Sequence, residues 1–489
     1  MGRMIVHGHF YQPPRAHPVT GRIPEQPSAA PFHDWNERVH AESYKPNAFA
    51  TVPTSMGELT VNNFERMSFD VGPTLMSWLR EHHVDTHARI LEGDRRSIER
   101  LGYGNAMAQA YHHTILPLSP RRDIRTQIRW GLIDFRYQFG RAAEGMWAPE
   151  AAVNDHVLAV MVDEGIRFTV LAPWQAHRWR EGDGAWKNAQ DDPIDTTLPY
   201  RWMHPDGSGR SMTLFFYDGE LSRAIAFDNL ASSAERFVHE FEDRARRTAG
   251  AVHAATDGET YGHHWRFADL GLAYALFIQA EQQSLEVTNY AAVLANSDVG
   301  REVEVAPEGS SWSCVHGVDR WAADCGCHTG GDEGWTQEWR RPLREAFDLV
   351  RSAADEVFDK NGPNLLVHPW DARDRYVEVV TGRMNVSDFV TREAWRELEG
   401  EDLQRASKLL EMQEHAMSMY TSCGWFFNDI GGIETLQVML YAARTLELIE
   451  ELSGSSPREP FLAKLAEAKS NDPERGTGAD LFASAADLR

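Results

Sequence analysis

Two acidic residues in this sequence each follow a predicted strand, where their carboxyl groups could do chemistry together. Glu150 comes after one predicted strand and Asp257 directly after another, the apolar run 251–256. The carboxyl ends of parallel strands lie at one edge of a sheet, so the two acids could meet there. Glycosidic cleavage uses one carboxyl group to protonate the leaving oxygen and a second to attack the sugar or activate water. Glu150 and Asp257 are therefore a candidate catalytic pair.

Histidine and tryptophan residues accompany the two acids. His7 and His9 end the first apolar run, and His113 precedes a Leu-Pro-Leu segment. Glu259 follows Asp257 by two residues. Indole rings suit a sugar site, because the C–H faces of a pyranose pack well on an aromatic plane. Candidate sugar-binding tryptophans are Trp147, Trp174, Trp265, Trp312 and Trp335.

Ordinary structural explanations compete with each of these assignments. An Asp-Gly-Glu sequence after a strand is typical of turns, and a single carboxylate can cap a helix or lie on the surface. Glu144 and Asp155 are alternative acids to Glu150, although neither directly follows the Trp-Ala-Pro segment that precedes Glu150. The assignment of Glu150 therefore rests on the order of the motifs along the chain and on the residues around it.

The elements that must position these residues alternate between short apolar runs and amphipathic helices up to about residue 300. Alternation of this kind predicts a parallel sheet with crossover helices, either a closed barrel or a doubly wound sheet. The predicted strands are 4–9, 143–147, 167–171, 211–216, 251–256 and 284–288. The predicted helices are 121–139, 154–165, 221–248 with a break, and 264–281.

The pattern changes after residue 300. Residues 307–337 hold Gly, Ser, Cys and Trp without periodicity, which indicates a packed functional loop. Helical periodicity then dominates, and the composition after Ser453 indicates a loosely held tail. The predicted helices of this part are 338–360, 386–397, 402–420 and 432–453.

Composition narrows the class of partner. The formal charge of −24 disfavours nucleic acid and anionic membrane surfaces, whereas a neutral sugar is compatible with it. We find no signal peptide or membrane-spanning run in the sequence, and four cysteines in 489 residues do not make a disulfide framework. We therefore expect a cytoplasmic protein that binds no nucleic acid and no membrane. Its oligomeric state stays open.

Two groups of residues could hold a metal ion. His7 and His9 could bind a divalent ion in a deacetylase-like hydrolase, but such sites need an aspartate near the first strand and none occurs before Asp34. Cys314, Cys325 and Cys327 crowd together with His316 and His328. This cluster lacks the usual Cys-x₂-Cys spacing, so reduced thiols are favoured and metal binding stays open. We predict no catalytic metal and no cofactor.

Taken together, the motifs resemble glycoside hydrolase family 57. The resemblance rests on His7-Gly-His9 with Gln12-Pro13, on His113, on Trp147-Ala-Pro-Glu150, and on Asp257-Gly-Glu259 with Tyr261-Gly262, in order and with similar spacing. The sequence is also similar to a subgroup of this family that carries a domain of unknown function. That likeness rests on the segments 9–15, 63–75, 311–314, 325–327 and 423–429.

The resemblance implies a fold and a function. It implies an α/β protein with a distorted (β/α)7 barrel over residues 1–300, then a mostly helical domain over 301–453 that closes the cleft, and a loosely ordered tail over 454–489. It implies retaining hydrolysis or glucanotransfer on α-glucan-type oligo- or polysaccharides. The alternatives are a metal-dependent deacetylase-like hydrolase and a non-catalytic glycan-binding protein.

The resemblance also assigns roles to residues. Glu150 matches the family's nucleophile and Asp257 its general acid/base. A further group matches residues that shape the first sugar subsite: His7, His9, His113 and Glu259.

Overall fold

The computed structural model describes residues 2–55 and 57–486. The last three residues of the predicted tail, 487–489, lie outside the described residues. Among the residues that are described, no helix combines the length and the apolar character needed to cross a lipid bilayer.

The chain forms two compact units. The first comprises the stretch ending at Gln12 together with Glu25–Gln109 and Phe135–Trp312. The second comprises Pro13–Pro24, Ala110–Asp134 and the chain from Ser313 onward. The domain boundaries that we predict after residues 300 and 453 stay predictions.

Seven parallel strands form the centre of the first unit. The strand Gly2–Phe10 is buried from Met4 onward, as expected for a strand of a parallel sheet that is covered on both faces. It pairs in parallel with Ala251–Asp257 and with Ser68–Val71. The parallel order then continues through Ala106–Gln109, Met146–Trp147, Phe168–Leu171 and Ser211–Phe216.

This sheet closes into a ring. The amide of Asp218, just past Ser211–Phe216, donates a hydrogen bond of 2.8 Å to the carbonyl of His253 in Ala251–Asp257. The ring is irregular, because one strand has only two residues and a single bridge between Gly145 and Phe168 joins it to the next. The predicted distorted (β/α)7 barrel is therefore confirmed.

The remaining strands flank the barrel strands. Leu285–Val287 pairs with the beginning of the first strand. A mixed extension continues the sheet beyond Ser211–Phe216 through Tyr200–Met203, Arg301–Val305, Ala176–Glu181 and Lys187–Asn188. A separate hairpin consists of Ala50–Thr54 and Gly57–Val61.

Helices connect the barrel strands, and several begin at a side-chain cap. Asn154 caps Asp155–Asp163 and Asp218 caps Gly219–Phe227, because each carboxyl or amide oxygen accepts a free amide of the first turn. The α-helices within this unit are Trp35–Val39, Lys45–Ala48, Pro73–His82, Val84–Leu101, Asp155–Asp163, Gly219–Phe227, Ala234–Ala245, Ala268–Tyr274, Ala280–Gln282 and Tyr290–Ala295. Arg121–Phe139 precedes Met146–Trp147 and covers the predicted range 121–139.

The second unit is mostly helical from residue 340 onward, which confirms the predicted helical C-terminal region. Its helices pack through apolar faces, such as the one that Leu343, Phe347 and Val350 form on the helix Arg340–Asn361. The helices are Arg340–Asn361, Pro369–Arg375, Val377–Val380, Val386–Glu393, Gly400–Ser418, Cys423–Phe426, Ile433–Ser453, Arg458–Leu465 and Gly478–Ala486.

The sequence analysis did not predict two of the barrel strands. Ser68–Val71 and Ala106–Gln109 have four residues each. The first includes a polar serine and aspartate, and the second contains no β-branched residue. Neither therefore carries the local signal of a buried strand, and both depend on pairing with strands distant in sequence.

Candidate active site

A buried histidine pair shares one carboxylate at the end of the first strand. His7 and His9 face the same side because alternate residues of a strand do so. His7 Nε2 lies 3.0 Å from one oxygen of Asp70, and His9 Nδ1 lies 2.8 Å from the other. Asp70 is fully buried, and Ser68 Oγ lies 3.1 Å from the remaining ring nitrogen of His7. Both imidazoles are therefore fixed in position and orientation.

Gly8 lies between the two histidines and faces the opposite side of the strand, where there is no room for a side chain. A Cβ at that position would meet the methyl group of Met67 at 2.6 Å and the ring of Phe10 at 2.9 Å. A larger residue would therefore require these packed side chains to move.

Trp147 lies under the two imidazoles. Its ring is stacked on His7, with 4.9 Å between centroids, and on His9, with 5.3 Å. The indole is completely buried, so in this structure it supports the histidines. Its predicted contact with substrate stays a prediction.

The charge state of this cluster follows from its surroundings. Burial lowers the pKa of His7. Burial alone would also lower the pKa of His9, but the carboxylates of Asp70, Asp257 and Glu150 outweigh it and raise that pKa to about 9. Burial alone would raise the pKa of Asp70, yet His9 and the imidazole hydrogen bonds lower it. His9 is thus a cation at neutral pH, and Asp70 is an anion.

Glu150 lies in a short 3₁₀ turn, Pro149–Ala151, after the strand Met146–Trp147. Its backbone is left-handed, with φ of 58°, and so is that of Ala151, with φ of 49°. Such conformations cost about 1–2 kcal/mol for a residue with a side chain, and they gather at functional sites. The side chain is half-buried.

Trp312 holds Glu150 at two points. Its indole Nε1 donates to Glu150 Oε2 at 2.9 Å, and its backbone amide donates to the Glu150 carbonyl at 3.0 Å. The ring of Trp312 also meets Trp147 edge to face, with 4.9 Å between centroids.

Asp257 is the last residue of its strand and stands in register with His9 on the neighbouring strand. Its side chain is exposed to solvent, and its charge contributes to the raised pKa of His9, as that of Glu150 does. Asp257 thus adjoins His9 in the sheet, and Trp312, which hydrogen-bonds Glu150, meets the ring of His9 edge to face with 5.9 Å between centroids.

Glu259 is oriented by two donors. Gln12 Nε2 donates to its Oε1 at 2.9 Å, and the hydroxyl of Tyr44 donates to the same oxygen. Trp265 follows nearby in the chain, and its indole N–H donates to the carbonyl of Ala226 at 2.8 Å. The predicted sugar contacts of Glu259 and Trp265 stay predictions.

Two other predicted site residues belong to the second unit. His113 is buried, its backbone conformation is left-handed, and its Nδ1 lies 2.6 Å from Ser422 Oγ. Trp335 lines a surface cavity of about 530 Å³ that also includes Phe427 and Glu434.

The two alternative acids have structural partners elsewhere. Glu144 pairs with Arg167 at 3.4 Å, and Asp155 accepts a hydrogen bond of 2.9 Å from the indole of Trp202.

Sequence reasoning missed Asp70, although the absence of an aspartate near the first strand was its argument against a metal at His7 and His9. That argument was wrong, because Asp70 arrives from the neighbouring strand Ser68–Val71. A weak signal did exist: a single aspartate within a short apolar segment ahead of Gly-Pro.

Two family models match this chain. One, described as glycosyl hydrolase family 57, matches residues 38–306. The other, described as a domain of unknown function (DUF3536), matches residues 335–487. No curated protein sequence matches.

Several solved structures share the fold over almost the whole chain. An exo-type maltose-forming amylase from Pyrococcus sp. ST04 is 14% identical with a TM-score of 0.69, covering 99% of this chain and 88% of its own. A branching enzyme from Thermococcus kodakaraensis is 15% identical with a TM-score of 0.58, covering 96% and 95%. A 4-α-glucanotransferase from Thermococcus litoralis is 14% identical with a TM-score of 0.55, covering 93% and 60%. At such identities the likeness concerns the fold.

Proposed function

Because this chain belongs to glycosyl hydrolase family 57, and is thus an enzyme of the glycosidase or glycosyltransferase type, we propose that it cleaves or transfers α-glucosidic bonds with retention. In this proposal Glu150 is the nucleophile and Asp257 is the general acid/base. The observation that carries the proposal is that both acids adjoin one buried histidine, His9. Asp257 stands in register with His9 on the neighbouring strand, and Trp312, which donates a hydrogen bond to Glu150, packs edge-on against the ring of His9.

In the first step, an oxygen of Glu150 attacks the anomeric carbon while Asp257 gives a proton to the glycosidic oxygen. The bond from the anomeric carbon to that oxygen breaks, and an ester between the sugar and Glu150 forms. In the second step, Asp257 takes a proton from water or from a sugar hydroxyl, which attacks the same carbon and releases Glu150. Two inversions give net retention.

The surroundings of each acid suit its proposed role. Trp312 fixes the carboxylate of Glu150, and the cationic His9 is a counter-charge for it, which suits a nucleophile that must be ionised. The exposed Asp257 can exchange protons with entering water or acceptor sugar. An oligo- or polysaccharide is the partner that this chemistry requires.

The choice of α-glucans follows the structurally similar proteins, which are an amylase, a branching enzyme and a glucanotransferase. We therefore propose starch, glycogen and maltooligosaccharides as the first substrates to test. Reducing ends report hydrolysis, and changes in chain length report transfer.

Substitution of the two acids tests their roles. Glu150→Gln is expected to reduce turnover to background, and Asp257→Asn to lower it by about 10²–10⁴-fold. Glu144→Gln and Asp155→Asn are the controls and should keep activity. Full turnover by Glu150→Gln would overturn the nucleophile assignment. Sugar binding without turnover in the unaltered protein would favour the glycan-binding alternative.

Azide rescue separates the two roles. With α-glucosyl fluoride, Glu150→Ala plus azide should give β-glucosyl azide, because azide enters from the side of the missing carboxylate. Asp257→Ala plus azide should give α-glucosyl azide, because the ester to Glu150 still forms first. The opposite product from either variant would exchange the two roles.

The deacetylase-like alternative has one observation in its favour, since His7, His9 and Asp70 are residue types that hold divalent ions. We favour the hydrogen-bonded cluster because the family is one of glycosyl hydrolases. Release of acetate from acetylated sugars, with α-glucans left intact, would reverse this choice.

A further inference from the structure

Three cysteine thiols and one imidazole converge in the second unit, on the loop after residue 312. Cys314 Sγ lies 3.7 Å from Cys327 Sγ and 3.9 Å from Cys325 Sγ. Cys327 Sγ lies 3.6 Å from Nδ1 of His316. The four ligand atoms all lie within 4.8 Å of one another, so they are close enough to share one ion.

These separations are those of a tetrahedral zinc site. With Zn–S of about 2.3 Å and Zn–N of about 2.0–2.1 Å, tetrahedral geometry places two sulfurs about 3.8 Å apart and sulfur and nitrogen about 3.6 Å apart. A disulfide needs the sulfurs about 2.0 Å apart, and all four cysteines are free thiols. The spacing therefore fits a shared ion better than a bond between any two sulfurs.

The local backbone brings the ligands together. Gly326, between Cys325 and Cys327, has φ of 79° in the left-handed region, which reverses the chain there. Arg320 Nη1 donates to the carbonyl of Ser313 at 3.0 Å, which holds the chain directly before Cys314.

A buried cation lies beside the cluster. The Arg340 side chain is fully buried, and its Nη1 donates to the carbonyl of Cys327 at 3.0 Å. Three thiolates, a neutral imidazole and Zn²⁺ carry a net charge of −1, which the guanidinium would compensate.

We propose that Cys314, His316, Cys325 and Cys327 bind one structural Zn²⁺. Binding displaces three thiol protons into solvent and leaves no position open for substrate, because all four ligands come from the protein. The zinc cross-links a loop that is otherwise short of regular structure. The proposed Cys-x-His-x₈-Cys-x-Cys spacing differs from the paired Cys-x₂-Cys pattern, which is why the sequence alone left metal binding open. The site is independent of the proposed glycosidase chemistry.

Metal analysis of the full chain tests the site. Protein purified without chelator, or reduced and reconstituted with Zn²⁺, should retain one zinc per chain through dialysis. Cys314→Ser and Cys327→Ser should each lose it, whereas Cys423→Ser, which removes the cysteine outside the cluster, should keep it. Equal loss in Cys423→Ser, or no zinc in the reduced and reconstituted protein, would overturn the proposal.

Cobalt substitution keeps the test decisive if the variants fold poorly. Co²⁺ added to the unaltered apoprotein should give thiolate-to-cobalt charge-transfer bands and the intense visible bands of a tetrahedral ion. Octahedral spectra would overturn the proposal. Protein unfolded under non-reducing conditions with a chelator should show four reactive thiols, and only two would indicate a disulfide instead.

Discussion

Trp312 is joined to Glu150 by a backbone hydrogen bond of 3.0 Å and by an indole-to-carboxylate hydrogen bond of 2.9 Å. One residue thus fixes both the left-handed backbone of Glu150 and the direction of its carboxylate. From its residue type, Trp312 was expected to stack on a sugar ring. In the structure its indole N–H also donates to the proposed nucleophile.

Removing that indole N–H tests its importance. Trp312→Phe is expected to lower kcat/KM by about 10–100-fold, because a hydrogen bond to a charged group contributes about 1.5–3 kcal/mol. Trp202→Phe is the matched control: its indole donates to the Asp155 carboxylate at 2.9 Å, and we expect a change of less than about threefold. Equal activity of Trp312→Phe and the unaltered enzyme would contradict this role.

The left-handed turn at Ala151 leads to a stability prediction. Glycine adopts this conformation without strain, so Ala151→Gly should leave the free energy of unfolding unchanged or raise it by up to about 1 kcal/mol. Ala159→Gly, within the helix Asp155–Asp163, should instead lower it by about 1 kcal/mol. Urea unfolding of both variants checks the contrast, and a similar loss in both would show that no strain is relieved at Ala151.

Asp70 should be important for stability because it is a buried counter-ion. Asp70→Asn is expected to destabilise the protein by about 3–5 kcal/mol, because it leaves a buried imidazolium at His9 without its counter-ion. The control Asp228→Asn breaks an exposed pair with Arg223 and should cost less than about 1 kcal/mol. Denaturant unfolding measures both, and an equally small effect of Asp70→Asn would contradict the ion-pair description.

The raised pKa of His9 makes stability depend on pH. The pKa is about 9 in the folded protein and about 6.5 when unfolded, so the folded state binds the proton more tightly. The contribution is fully present below pH 6.5 and is lost as pH rises through 9, on the order of 3 kcal/mol in all. His9→Gln should show a flatter decline of unfolding free energy between pH 6.5 and 10. Parallel declines in the two proteins would contradict a charged His9.

Short-range patterns in the sequence predicted much of the fold. The strand 211–216 and the helix 121–139 were placed at their observed bounds, because each shows its own periodicity. Family membership was also recognised correctly from spaced motifs around Glu150 and Asp257, and the family match confirms it. Ser68–Val71 was missed because four residues of mixed polarity become a strand only by pairing with Gly2–Phe10.

The site was less predictable than the fold, because its contacts join residues far apart in sequence. Asp70 meets His7 and His9 across 63 and 61 positions, and Trp312 meets Glu150 across 162. No local pattern encodes such pairs. Trp147 illustrates the same difficulty, since its residue type indicated a sugar platform and the structure buries it under two imidazoles.

Covalent trapping tests the proposed mechanism most directly. A 5-fluoro-α-glucosyl fluoride slows release of the sugar from a retaining enzyme more than its attachment, so the glycosyl-enzyme accumulates. Peptide mass spectrometry of the inactivated protein should then find one added fluorosugar, on Glu150. A label on Asp257, Glu144 or Asp155 would contradict the assignment of Glu150 as the nucleophile, as would continued turnover of α-glucans by protein that carries no label.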